Sequence, residues 1–210
     1  MDNGKPSGMA VDIVTQALAA ASSRVQLNPM PCSRCMQLTR IGRLTGCFDT
    51  VRDRSLETEY LFHRQSLFQA NANIYTRVHA KQISRQSKLT TQDLEGRRGG
   101  VTNGYTYGDE FDFNTNINKD ISTHDVDSLH KLMLGRVDYV VMFEKVATYL
   151  ARRYPDTFGD MIRQVGLIRP MSLYVSFSKR HPLAPSYMAA LDRGLVIIRQ
   201  NGEYAVIEAR

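Results

Sequence analysis

Tryptophan is absent from the 210 residues, cysteine occurs three times and proline seven. No run of about 18 apolar residues occurs, so no segment reads as a membrane-spanning helix. No internal period is present, which excludes solenoid and other repeat architectures. Strong clusters of one charge are missing as well. The longest basic runs are pairs, such as Arg97-Arg98 and Arg152-Arg153, and the net charge of +6 divides evenly, +3 in residues 1–79 and +3 in residues 80–210. A surface that tracks phosphates needs clustered positive charge, so no nucleic-acid partner is expected. Cys32, Cys35 and Cys47 do not complete a four-ligand structural zinc site by themselves. The length rules out a small disulfide-stapled scaffold. One bridge with a leftover thiol, or three free thiols, stay open. The five histidines read as surface or capping residues, and neither a metal nor a cofactor is expected. Met1 to Pro6 lacks the basic and apolar regions of a signal peptide, which fits a cytoplasmic chain or a processed or truncated one.

What is present suits a globular chain. Apolar residues make up 42% and charged ones 23%, ordinary values for a folded domain. A chain of this size buries roughly 70% of its unfolded surface, as one large domain or two lobes. Hydrophobic periodicity alternates short strands with helices, the pattern of an α/β fold. Val11, Ile13, Val14, Ala17, Leu18 and Ala21 form a helical stripe after Gly8, and Val25–Leu27 reads as a short strand. Ser33 is placed to cap a helix carrying Met36, Leu38, Ile41 and Leu44 that stops at Gly46, with a strand from Cys47. Residues 67–78 read as extended and residues 80–91 as polar surface loop. Thr91 caps a short helix ending at Gly96, Gly100 begins a strand, and Tyr105–Phe111 opens a helix. Asp125 or Asp127 caps the next helix, which ends at Gly135. Tyr139–Met142 reads as a buried strand. Phe143–Tyr154 reads as a helix with Val146, Tyr149 and Leu150 inward, Leu173–Phe177 as a strand, and residues 184–200 as a long helix ended by Gly202.

Six segments, in order, resemble the family 3 solute-binding proteins, the amino-acid-binding components of bacterial ABC importers. They are Asn3–Ile13, Pro31-Cys32-Ser33-Arg34-Cys35, Gly46-Cys47-Phe48-Asp49, Asp93–Val101, Leu132–Val141 through Gly135-Arg136-Val137-Asp138, and Phe177–Leu183. The resemblance implies a periplasmic-binding-protein fold of type II: two α/β lobes joined by crossovers near Ala70–Thr76 and Leu173–Phe177. Lobe 1 would comprise residues 1–72 plus 175–210, and lobe 2 residues 73–174. The solute would be clamped between the lobes by a hinge motion, with helix N-termini favouring an anionic group. It further implies a first strand ahead of the opening element and a signal peptide, both expected upstream of Met1, and hence a periplasmic location.

Site residues follow by position. The family's carboxylate-clamping Arg aligns on Leu56 when Glu59 and Phe62 are matched, so Arg54 or Arg52 would serve only through a shifted loop. Otherwise Arg54 is a surface residue paired with Asp53 or Glu57. Thr102-Asn103-Gly104-Tyr105-Thr106-Tyr107 occupies the place of the second carboxylate contact, where Thr102, Tyr105 and Thr106 are the candidates. A plain strand-to-helix turn would use the same residues. The ammonium-binding acid aligns on Phe143, with Glu144 one step on; Phe143 would then be an apolar wall and Glu144 a helix-start residue. With these determinants displaced, the expected ligand widens from an α-amino acid to a small polar or anionic solute. It would be delivered to an ABC permease or reported to a membrane receptor by a monomer.

Cys32-x-x-Cys35 at a helix start has the setting of a redox motif, but the rest of the chain does not follow that fold. A Cys35–Cys47 bridge tying helix to strand is the preferred structural reading. An enzyme on the same scaffold, dehydratase-like, is the runner-up, with Glu144, Glu110 and His124 available as acids or bases. No nucleophile motif or phosphate-binding glycine loop supports it.

Overall fold

The computed structural model describes residues 6–80 and 87–209. Asn3, Gly4 and Lys5 of the opening element, and residues 81–86 of the polar stretch 80–91, lie outside the described residues. The chain divides into two units: Met1–Gln69 with Ser172–Arg210, and the continuous segment Ala70–Met171.

In unit 1, α1 (Met9–Ala20) follows Gly8 and buries Ala10, Ile13, Val14, Ala17 and Leu18, the apolar stripe read from the sequence. It packs on α7 (Ala184–Gln200), which buries Ala190, Leu191, Gly194, Leu195 and Ile198. The helices approach so closely that a Cβ on Gly194 would sit 1.7 Å from the Ala17 carbonyl oxygen. Pro185 near the start of α7 lacks only an amide that the first turn leaves unpaired anyway. Each fully buried Leu or Ile here contributes about 2 kcal/mol of transfer free energy.

Val25–Leu27 is not a strand: its side chains alternate in burial, but no ladder pairs with it among the described residues. A strand needs a hydrogen-bonding neighbour as well as alternation. The next helix, α2 (Cys32–Arg40), begins one residue before Ser33, so Ser33 lies inside its first turn and Pro31 takes the cap position. It ends at Gly42, whose φ is 82°, rather than at Gly46, because the left-handed residue comes first. Cys35 on α2 and Cys47 on β1 (Gly46–Val51) form a disulfide, and Cys32 stands outside that bridge.

Asp53 caps α3 (Arg54–Glu59) by accepting from the Leu56 amide at 2.8 Å. The strand β2 (Tyr60–Phe62) follows, and its Tyr60 hydroxyl donates to the Met36 carbonyl of α2 at 2.9 Å. Both β1 and β2 run antiparallel to the end of β7 (Ile162–Ser178). The β1 ladder slips register between Phe48 and Thr50. This shift reverses the inside–outside phase of the strand: Cys47 and Thr50 are buried and Asp49 is turned out. A last helix, α8 (Glu203–Glu208), follows Gly202, which starts that helix as well as closing the loop after α7.

Unit 2 is ordered β3-β6-β4-β5. The strands are β3 (Phe68–Arg77), β4 (Arg98–Thr102), β5 (Asn118–Ser122) and β6 (Tyr139–Phe143). Parallel pairing joins β4 to both β5 and β6, and β3 runs antiparallel to β6. Val140 and Met142 of β6, Leu129 and Leu132 of α5 (Asp125–Met133), Leu150 of α6 (Glu144–Arg153) and Phe158 form its core. Gly135, with φ 70°, closes α5 as the sequence indicates, its amide bonding the Leu132 carbonyl at 3.0 Å.

Four other expectations change. Thr91 makes no side-chain cap; Asp93 instead reaches back to the Thr90 amide and hydroxyl, both at 2.8 Å. The helix expected from Tyr105 is one short turn, α4 (Asp109–Asp112), because the Asp112 carboxylate holds the Tyr107 and Gly108 amides in a loop. Asp125 is the first residue of α5 after His124 and does not cap it, its carboxylate being engaged elsewhere. Tyr149 faces solvent on α6, and Ala147 with Leu150 takes the inward stripe. Among the described residues no helix is long and apolar enough to cross a membrane, and no cluster of His, Cys, Asp or Glu could hold a metal ion.

Candidate functional site

Three parallel strands of unit 2 end together. Thr102 closes β4, Ser122 pairs with it at the end of β5, and Phe143 closes β6. The chain leaves β4 toward β5 on one side and returns to β6 on the other, so two helices, α5 and α6, begin at this edge. In open α/β sheets this reversal opens a crevice at the carboxyl ends of the strands, where ligands bind.

The residues there form a polar and aromatic group. Asp125 accepts from the Thr102 hydroxyl at 2.8 Å and from the Tyr105 hydroxyl at 3.1 Å. Burial raises its pKa above the ordinary aspartate value, and the two hydroxyl donors pull it partly back. Tyr107 is fully buried, and its hydroxyl oxygen accepts the Thr102 amide at 3.2 Å. Burial pushes its phenol pKa well up, so it stays neutral. The rings of Tyr105, Tyr107 and Phe143 lie 6.0–6.3 Å apart, centroid to centroid, in tilted contact. The Ser122 hydroxyl is buried with no hydrogen-bond partner.

Beside this group, Glu144 opens α6 and accepts from the Asn71 side-chain amide at 2.8 Å. Asn73, on the same face of β3 as Asn71, donates to the Tyr75 hydroxyl at 3.3 Å, and its own carbonyl oxygen is buried without a partner. Each helix N-terminus at this edge therefore already carries an acid, which offsets its positive end.

Thr102, Tyr105, Phe143 and Glu144, named from the sequence, thus lie at this strand edge. Thr106 is half-buried in the loop between them. Asp125 belongs to the group and was read as a helix cap; an Asp at a helix start carries both meanings, and only the tertiary placement of Tyr105 separates them.

The two arginines belong to unit 1. The Arg52 side chain bonds Glu57 at 2.6 Å and lies about 6 Å from the ring centroids of Phe62 and Tyr174. Arg54 is exposed in the first turn of α3, and Glu57, proposed as its partner, is engaged by Arg52 instead. Unit 1 also holds His63, which sequence reading left on the surface. It is completely buried, with Nε2 accepting the Val175 amide at 2.9 Å and Nδ1 3.9 Å from Asp192. A lone His gives no sign of burial; its position just after β2 places it against β7.

The chain has the periplasmic-binding-protein fold. A histidine kinase sensor domain with similarity to periplasmic binding proteins superposes with a TM-score of 0.83 at 19% identity, covering 100% of this chain and 87% of that one. An ancestral arginine-binding protein bound to arginine matches at 0.81 and 18% identity, over 99% of this chain and 88% of that one. The arginine-, lysine-, histidine-binding protein ArtJ from Geobacillus stearothermophilus matches at 0.80 and 19% identity, over 99% and 87%. These neighbours are binding and sensor proteins. No protein-family model and no curated protein matches the sequence.

Proposed function

We propose that this chain binds a small polar solute, with Thr102, Tyr105, Asp125 and Phe143 at the carboxyl edge of unit 2 among its contacts. The observation that carries the reading is the convergence of three strand ends and two helix starts on a group that includes a partly buried carboxylate and an unpartnered buried hydroxyl, Ser122. The fold is shared with proteins described as arginine-binding and with a kinase sensor domain, which supports capture or sensing over turnover. The proposal extends to an extracytoplasmic, periplasmic monomer that clamps its solute between the two units, as the family resemblance implies. It would deliver that solute to an ABC permease or report it to a membrane receptor. Thr106 and Glu144 are proposed as flanking contacts, and Arg52 and Arg54 as contacts from unit 1.

The test is a thermal-shift screen of amino acids, dicarboxylates and polyamines, with the solute quantified after incubation. At least one compound is expected to raise Tm and to be recovered unchanged. Tyr105→Ala should weaken that compound about five- to thirtyfold, since a ring anchoring a bound group contributes on the order of 1–2 kcal/mol. Consumption of the compound, or no effect of Tyr105→Ala on its affinity, would overturn the reading.

A further inference from the structure

All three cysteines belong to unit 1. Cys35 on α2 is bridged to Cys47 on β1, with their Cα atoms 5.8 Å apart. Cys32 opens the same helix three residues earlier, and the Cys35 amide bonds the Pro31 carbonyl at 3.0 Å, so this first turn is helical throughout. Residues i and i+3 of a helix are neighbours on one face. With about 3.6 residues per turn and a rise of about 1.5 Å, their Cα atoms lie about 5 Å apart. That falls within the roughly 4.4–6.8 Å that a disulfide spans. Cys35 is therefore within bonding reach of two partners, Cys32 along the helix and Cys47 across to the strand.

The setting suits attack by Cys32. Cys32, Cys35, Met36 and Thr39 follow the i, i+3, i+4, i+7 spacing of one helix face, and Thr39 is completely buried, so this face is turned to the protein. The Tyr60 hydroxyl donates to the Met36 carbonyl there. Its pKa is raised by burial first, then by Glu59, and a charge on Cys32 adds to the rise. Pro31 supplies no side-chain cap and the first turn of α2 holds no acid. The helix start thus offers its amides to negative charge on sulfur. Cys32 and Cys35 are both half-buried, whereas Cys47 is 3% exposed. A neutral thiol left at Cys47 behaves there as a small apolar side chain.

We propose that Cys32 is an internal nucleophile for the Cys35–Cys47 bridge, so that this bridge and a Cys32–Cys35 bridge interconvert by thiol–disulfide exchange. The Cys32 thiolate attacks Cys35 Sγ, and the Cys32–Cys35 bond forms as the Cys35–Cys47 bond breaks. The electron pair leaves on Cys47 Sγ, which takes up the proton that Cys32 lost. One disulfide and one thiol stand on each side of the step, so neither oxidant nor reductant enters. The β1–β7 ladder holds Cys47 beside Cys35 and keeps their bridge the principal form. Exchange moves the crosslink into a single helical turn and releases α2 from β1. The tether between helix and strand is thereby opened from inside the protein, whatever solute unit 2 takes.

The test is reduction of the native wild type and of Cys32→Ser by reduced glutathione at about pH 8, where an ordinary thiol is partly ionised. Samples are quenched at intervals with N-ethylmaleimide and mapped by mass. Trypsin cuts after Arg34, between the two helix cysteines, so peptides 25–34, 35–40 and 44–52 carry one cysteine each and every bridge has its own mass. In the wild type the linked pair 25–34 with 35–40 is expected before the disulfide is lost, with the thiol on 44–52. That bridge is reached by external thiols at both sulfurs, whereas Cys47 is shielded. Cys32→Ser should lack this species and be reduced about tenfold more slowly with glutathione well below the millimolar effective concentration of a tethered thiol. If the pair never appears, or folded Cys32→Ser is reduced at the wild-type rate, Cys32 takes no part in exchange. Should circular dichroism show the variant unfolded, the wild-type map alone decides.

Discussion

Lowering the pH from 7.5 to 5 should destabilise unit 1 through one side chain, His63. Its Nε2 accepts the backbone amide of Val175 on β7, so the ring must be neutral in the folded protein. Burial, opposed by Asp192 and reinforced by Arg52 and Arg199, brings its pKa from 6.5 down to about 4. Between these values the unfolded chain binds more protons than the folded one, so stability rises with pH across the window. The contribution is complete above the unfolded value and disappears as pH falls toward the folded one. Integrated over the shift, the loss is about 2 kcal/mol at pH 5 and about 3 kcal/mol at pH 4. Asp49 titrates in the opposite sense over an overlapping range, since its pKa is raised, so a difference measurement is needed.

His63→Gln supplies one: its amide oxygen can accept from Val175 and does not titrate. Urea unfolding followed by far-ultraviolet circular dichroism, suited to a chain without tryptophan, would be run on both proteins at pH 7.5, 6 and 5. The wild type should lose about 2 kcal/mol more than the variant between the two extremes. Parallel pH profiles, within about 0.5 kcal/mol, would show that the imidazole is not held neutral in the folded state.

Other perturbations test the packing. Gly194→Ala should destabilise by at least about 2 kcal/mol, because its methyl group would meet backbone rather than a yielding side chain; a Tm within a degree of wild type would refute the close helix crossing. Replacing Cys35 and Cys47 together with serine opens a loop with a sequence separation of 12, for which chain entropy gives a loss of about 3 kcal/mol. The same fall is expected on reducing the wild type, and thiol counting on the denatured, unreduced protein should find one thiol, that of Cys32.

Where burial follows one period, the sequence reads directly into structure. The α7 helix spans residues 184–200 as read, and β6 is continuous apolar chain buried along its whole length. Misreadings arise where partners decide. β5 carries Asn118, Lys119 and Asp120 at the edge of the sheet, so it lacks an apolar signature and gains its strand form from β4. The first part of β7 mixes Arg163, Gln164 and Arg169 with buried Val165 and Met171, which hid the eleven residues ahead of Leu173 in a seventeen-residue strand. At the candidate site, Thr102, Tyr105 and Phe143 were legible from position along the chain. Asp125 was legible only as a helix start, because its two hydroxyl donors come from 20 and 23 residues earlier. Asp49 appeared as a motif residue, but its outward turn depends on the β1–β7 register and is invisible locally.

The division of unit 1 into two distant segments orders events during synthesis. β1 pairs with the end of β7, so Cys47 finds its neighbour Ser176 only after the whole of Ala70–Met171 has been made. Unit 2 is continuous and can close its parallel strands as soon as β6 has emerged. At about 5–20 residues per second, the α1–α2–β1 segment waits roughly 5–20 s for its second half. Throughout that interval its apolar face is exposed and Cys35 and Cys47 lack the strand partner that fixes β1. The nascent N-terminal segment is therefore the stretch on which a chaperone would act first.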